Sequence, residues 1–192
     1  AFVYNCNLYF FLMRVTKVIT KTGDNGQTGL GNGERISKNS SRIQAMGSVD
    51  ELNSFLGWAR IEAKNSYHNQ LGEIQQDLFN IGAELSIPDV DMNLLNESRL
   101  LWLENLTEEY NSGLSPMEEF ILPGGTEFSS RLHIARAECR STERKIICLA
   151  DEEYVPSDHI KYLNRLSDFL FILARVDMND SGVSEKSWNY KT

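Results

Sequence analysis

Residues 71–85, L-G-E-I-Q-Q-D-L-F-N-I-G-A-E-L, set Leu71, Ile74, Leu78, Ile81 and Leu85 at steps of three and four, and Pro88 stops the run. Such steps return to one face of an α-helix, so this stretch predicts an amphipathic helix that needs partners for its apolar stripe. The partners lie on either side. Ile43, Met46, Val49, Leu52 and Leu56 repeat the spacing upstream. Downstream, Leu100, Leu103, Leu106 and Tyr110 form a shorter piece, and Leu132, Ala135, Cys139, Ile146 and Leu149 mark a helix from about Ser129 to Ala150. From Ser157 onward Leu163, Leu166, Leu170 and Leu173 supply the fifth. Convincing period-two alternation is confined to a few residues around Val15–Ile19, so the fold class is all-α, a bundle of five helices. A glycine-rich N-terminal loop precedes it.

The chain has 192 residues, 41% of them hydrophobic and 24% charged, with a net charge of −8. Those figures suit one globular domain, too apolar for disorder. Residues 1–12 are apolar without Lys or Arg and match neither a signal nor a transit peptide, so they read as a non-core extension of a domain spanning 13–192. Cys6, Cys139 and Cys148 are odd in number and far apart, which argues for a reducing, cytoplasmic setting rather than a disulfide framework. Cys139 and Cys148 read as small core residues. The acidic balance argues against nucleic-acid binding, and the apolar runs fall short of a membrane span. His68, His133 and His159 form no metal-ligand pattern, so no metal held by protein side chains is expected.

Charge is nevertheless concentrated. Residues 14–42 carry six cations against two carboxylates, and residues 131–145 carry five against two. An acidic chain that gathers cations in two segments suits a small polyanion. The first segment contains T-K-T-G-D-N-G-Q-T (20–28), with five glycines between Thr20 and Gly33 and Lys38 beyond. Glycines let backbone N–H groups approach phosphate oxygens, although a solvated turn has the same composition and the Walker G-K-[ST] sequence is missing. The second holds Arg136, Arg140 and Arg144 at i, i+4 and i+8, one cationic stripe that also fits a charged outer face. Asn164 with Asp168, and Asp50, Glu51 and Asn53, are polar interruptions of apolar helices. Phe120 opens F-I-L-P-G-G, an apolar run ending in a hard turn that is equally read as a packing plug.

In order along the chain, T-K-T-G-D-N-G-Q-T, Lys38, G-S-V-D-E-L-N-S (47–54), F-I-L-P-G-G (120–125), A-R-A-E-C-R-S-T-E-R (135–144) and Y-L-N-R-L-S-D-F-L-F (162–171) resemble the ATP:cob(I)alamin adenosyltransferases of the propanediol-utilisation (PduO) type. The resemblance spans roughly Thr16 to Trp188. It implies a homotrimer with active sites between subunits, each taking Mg-ATP and a corrinoid. It also implies that the 5′-deoxyadenosyl group of ATP passes to the cobalt of cob(I)alamin, leaving triphosphate. By position, Thr20, Lys21, Gly23, Asp24, Gly26, Thr28 and Lys38 look like the nucleotide loop, and Arg140, Glu143 and Asn164 like the remaining ATP contacts. Asp50 and Arg136 look like the inter-subunit salt bridge beside the corrinoid, and Phe120 like the aromatic that closes its lower face. Mg²⁺ would be held mainly by the ATP phosphates. Ser141 stands where many members carry a second Arg, and Gly29 replaces a Ser or Arg; both departures bear on ATP affinity. A cob(II)alamin reductase and an adenosylcobalamin-dependent enzyme are the partners implied. A nucleotide sensor or cobalamin-delivery protein, or a purely structural trimer, would share parts of this pattern.

Overall fold

The computed structural model describes Ile19 and residues 21–190; the expected 1–12 extension and Thr20 lie outside the described residues. Five helices dominate: α1 (Ser41–Arg60), α2 (Asn65–Ser86), α3 (Glu97–Asn111), α4 (Glu127–Ala150) and α5 (Ser157–Asp180). Helix α4 packs on α5 and on α1, α1 also on α2, and α3 on α5. The leucine stripes meet in the middle: Leu52, Leu56, Leu71, Ile74, Leu78, Ile81, Leu132, Ile146, Leu163, Leu166 and Leu170 are fully buried. Each such side chain contributes roughly 1.5–3 kcal/mol by leaving water.

Helix starts follow local chemistry. The side chains of Ser40, Asn96 and Thr126 accept from the backbone N–H groups of Ile43, Ser98 and Ser129 and so satisfy donors the first turn leaves free. Thr126 starts α4 two residues earlier than the apolar pattern alone suggests. A buried polar cluster joins three helices: Arg99 Nε lies 2.9 Å from Asp77 Oδ1, and the Tyr162 hydroxyl donates to Asp77 Oδ2 at 2.6 Å. Burial beside that carboxylate pushes the Tyr162 hydroxyl pKa well up.

Two expectations change. The N-terminal loop contains a small antiparallel hairpin, β1 (Gln27–Gly29) with β2 (Arg35–Ser37), pairing Thr28 with Ile36. Cys139 is buried and donates to the Leu163 carbonyl at 3.1 Å, as a core residue, but Cys148 is exposed. Nine residues at about 100° each carry Cys148 about two and a half turns on, to the opposite face of α4.

Candidate active site

The hairpin is pinned to the bundle before it can present anything. Leu30 is buried and the Gly31 N–H donates to the Ser86 carbonyl at 2.8 Å. Below this anchor Arg42 of α1 joins the Leu85 carbonyl (2.7 Å) to Glu153 and so braces the end of α2. A Cβ on Gly31 would stand 2.7 Å from Ile87, so only glycine allows this approach to the end of α2. Above the anchor, Arg35 Nη2 donates to the Thr22 carbonyl at 2.6 Å and the Lys38 N–H to the Gly26 carbonyl at 2.8 Å. Gly26 turns there at φ +81°, where a side chain would be strained. The Lys38 ammonium lies across Gly23, where a Cβ would meet Nζ at 3.0 Å. Thus Gly23, Asp24, Gly26 and Lys38 share one end of the hairpin, with Lys21 at φ +60° entering it and Thr28 on β1.

The cationic wall is α4. Arg140 is exposed, whereas Arg136 is half-buried and its Nε is buried with no hydrogen-bond partner among the described residues. Burial and the neighbouring Arg140 charge both push the Arg136 pKa down. A guanidinium remains charged regardless, so the pair creates a demand for an anion. One turn on, Glu143 accepts from Asn164 Nδ2 of α5 at 3.4 Å. His133 lies one turn before Arg136, edge-on to Phe171, with both ring nitrogens buried and without a hydrogen-bond partner among the described residues. Burial first, then the Arg136 charge, holds its pKa down at about 4.

Asp50 faces elsewhere. Ser48, two residues earlier, points to α4, bonding Glu138 and Thr142 at 2.9 Å. A step of about 200° around α1 takes Asp50 off that face. It lines a groove of about 690 Å³ between α1 and α2 with Met46, Val49, Phe79, Met92 and Leu94. Phe120 stands on the connector between α3 and α4 and is 74% exposed.

The structure therefore brings Gly23 to Lys38 and Glu143 to Asn164. Among the described residues it forms no bond between Asp50 and Arg136, or between the hairpin and Arg140, within one chain. Sequence reasoning missed the Arg35 clamp, His133 and the groove. Arg35 was visible only as one more cation, and the groove draws Met92 and Leu94 from an aperiodic connector. Among the described residues no group of three or more His, Cys, Asp or Glu side chains could hold a metal ion.

A five-helix bundle with a pinned glycine hairpin and a helix whose Arg136 Nε is buried without a partner among the described residues suits a class of helical proteins that handle a small polyanion such as a nucleotide. Residues 18–177 match the cobalamin adenosyltransferase family. A cobalamin adenosyltransferase from Cupriavidus metallidurans is 44% identical over 177 residues, covering 91% of this chain and 95% of that one. The human corrinoid adenosyltransferase MMAB is 36% identical over 183 residues, covering 90% and 73%. A solved structure from Lactobacillus reuteri, a phenylalanine-to-alanine variant of a PduO-type ATP:corrinoid adenosyltransferase complexed with cobalamin and ATP, superposes with a TM-score of 0.87. It is 35% identical and covers 90% of this chain and 99% of that one. The chain belongs to the cobalamin adenosyltransferase family.

Proposed function

We propose a division of labour for the reaction that this membership assigns. The chain is an ATP:corrinoid adenosyltransferase, moving the 5′-deoxyadenosyl group of ATP to the cobalt of a corrinoid. Cob(I)alamin is itself the nucleophile at ribose C5′, so the protein must supply alignment, exclusion of water and stabilisation of the departing triphosphate. Lys21, Gly23, Asp24, Gly26, Thr28 and Lys38, with Thr20, cradle the phosphates through amides and ammonium groups. Arg140 takes charge on the triphosphate, and Glu143 and Asn164 orient the nucleoside. Phe120 covers the lower face of the corrin and opposes return of its nucleotide base or of water. Mg²⁺ is held mainly by the ATP phosphates.

One observation carries the assembly part of this reading. Arg136 Nε is buried without a hydrogen-bond partner among the described residues, while Asp50, on another face, is exposed. An anion brought by a second copy would satisfy the guanidinium, which supports a homotrimer with Asp50 of one copy on Arg136 of the next. A cytoplasmic setting and a cob(II)alamin reductase belong to the same reading, since the reaction consumes ATP and a strongly reduced corrinoid. The test is anaerobic: enzyme, Mg-ATP and reduced cobalamin should form adenosylcobalamin and triphosphate in equal amounts. ATP binding without either product would favour a sensor or delivery protein instead.

A further inference from the structure

Phe120 has almost nothing of its own to hold it. The ring is 74% exposed, and its backbone belongs to a minimal two-stranded ladder with the C-terminal segment. The Trp188 N–H donates to the Phe120 carbonyl at 2.7 Å, the Leu122 N–H donates to the Lys186 carbonyl at 2.7 Å, and Ile121 pairs with Ser187. Two short strands on their own are marginal in water. What fixes them is the last part of α5. Arg175 is 6% exposed, and its Nε donates to Glu185 Oε1 at 2.7 Å and its Nη2 to Glu185 Oε2 at 3.3 Å. The same Nη2 donates to the Ser115 carbonyl at 2.9 Å. One planar fork thus grips the residue just before Lys186 and the connector that leads to Phe120. Beyond Phe120, the Thr126 hydroxyl donates to Asp177, and a Cβ on Gly125 would stand 2.7 Å from Met178 Sδ. Both flanks of Phe120 are therefore fastened to residues 175–178.

We infer that Arg175, through Glu185 and the ladder at 120–122 and 186–188, is the positioning residue that sets where Phe120 stands. The inference rests on the reading of Phe120 as the cover of the corrin face. Arg175 acts through Glu185 and the Ser115 carbonyl, the groups its guanidinium holds. A lysine would keep the charge but could not span Glu185 and the Ser115 carbonyl with one planar fork. Glu185→Gln keeps the shape and removes the ion pair from a partly exposed segment, so it serves where an Arg175 variant folds poorly.

The experiment compares Arg175→Lys, Glu185→Gln, Phe120→Ala and the Glu185→Gln/Phe120→Ala double variant of the full chain. It reads kcat, the KM for ATP and the EPR signal of four-coordinate Co(II) with cob(II)alamin and ATP. Arg175→Lys and Glu185→Gln should each lower kcat by about fivefold or more and weaken the four-coordinate signal, with the KM for ATP within about twofold of wild type. In the Phe120→Ala background Glu185→Gln should add almost nothing. Wild-type kcat and signal in Glu185→Gln, or full additivity with Phe120→Ala, would overturn the inference while leaving Phe120 its role. A silent Phe120→Ala would overturn both.

Discussion

Replacing Phe120 by alanine separates folding from function more cleanly than any other change. The ring is 74% exposed, so its removal opens no core cavity and should shift folding stability by no more than about 0.5 kcal/mol. An aromatic side chain offers roughly 150–250 Å² of contact area, and three-quarters of that lies uncovered here. Covering about 150 Å² at roughly 25 cal/mol per Å² is worth up to ~4 kcal/mol, of which alanine would retain about a third. If the contact forms fully only once the lower axial base has left the cobalt, the difference raises the barrier rather than weakening substrate binding. Even half of it, about 1.4 kcal/mol, is tenfold in rate. Phe120→Ala should therefore cut kcat at least about tenfold, with ATP affinity nearly intact. The deficit should be largest when Co(II) is reduced on the enzyme and smaller with pre-reduced cob(I)alamin. Wild-type kcat with an unchanged four-coordinate Co(II) spectrum would show that the ring covers nothing.

Mg-ATP should slow hydrogen exchange over residues 21–33, where several glycines make ordering entropically costly without a ligand; equal exchange with and without nucleotide would contradict the cradle. Asp50→Asn and Arg136→Ala should be strongly non-additive in a double-mutant cycle on kcat, because each removes the same charge-assisted contact, worth about 1.5–3 kcal/mol. His133 is held at about pKa 4 in the fold against an ordinary 6.5. The unfolded chain therefore binds a proton that the folded chain refuses, and stability falls as pH drops from 6.5 towards 4. The slope reaches up to ~1.4 kcal/mol per pH unit. Thermal melts across that range should be flatter for His133→Leu, and parallel curves would show that another group sets the slope.

The five helices were legible because leucine periodicity is long and repeated, as at Leu71–Leu85, and tertiary packing had only to confirm it. The hairpin was not, because strands of three residues such as Gln27–Gly29 carry too few side chains to show alternation. Cys148 was misplaced because counting apolar neighbours ignores the half-turn that separates it from Cys139. The grouping of Glu143 with Asn164 followed only from family resemblance, since the two lie 21 positions apart on different helices. Arg175 and Glu185 carried no readable signal at all. A cation inside an apolar helix looks like a misfit until the carboxylate from the next segment is seen folded back onto it.

The central claim is that each active site is completed by two copies of the chain, and hybrid assemblies test it directly. Asp50→Asn and Arg136→Ala chains, each impaired alone, should be co-assembled and assayed for adenosylcobalamin formation. Random mixing places an intact Asp50 against an intact Arg136 at about one interface in four, so activity should rise well above that of either parent. Activity no greater than the average of the two parents would mean that Asp50 and Arg136 do not meet across an interface.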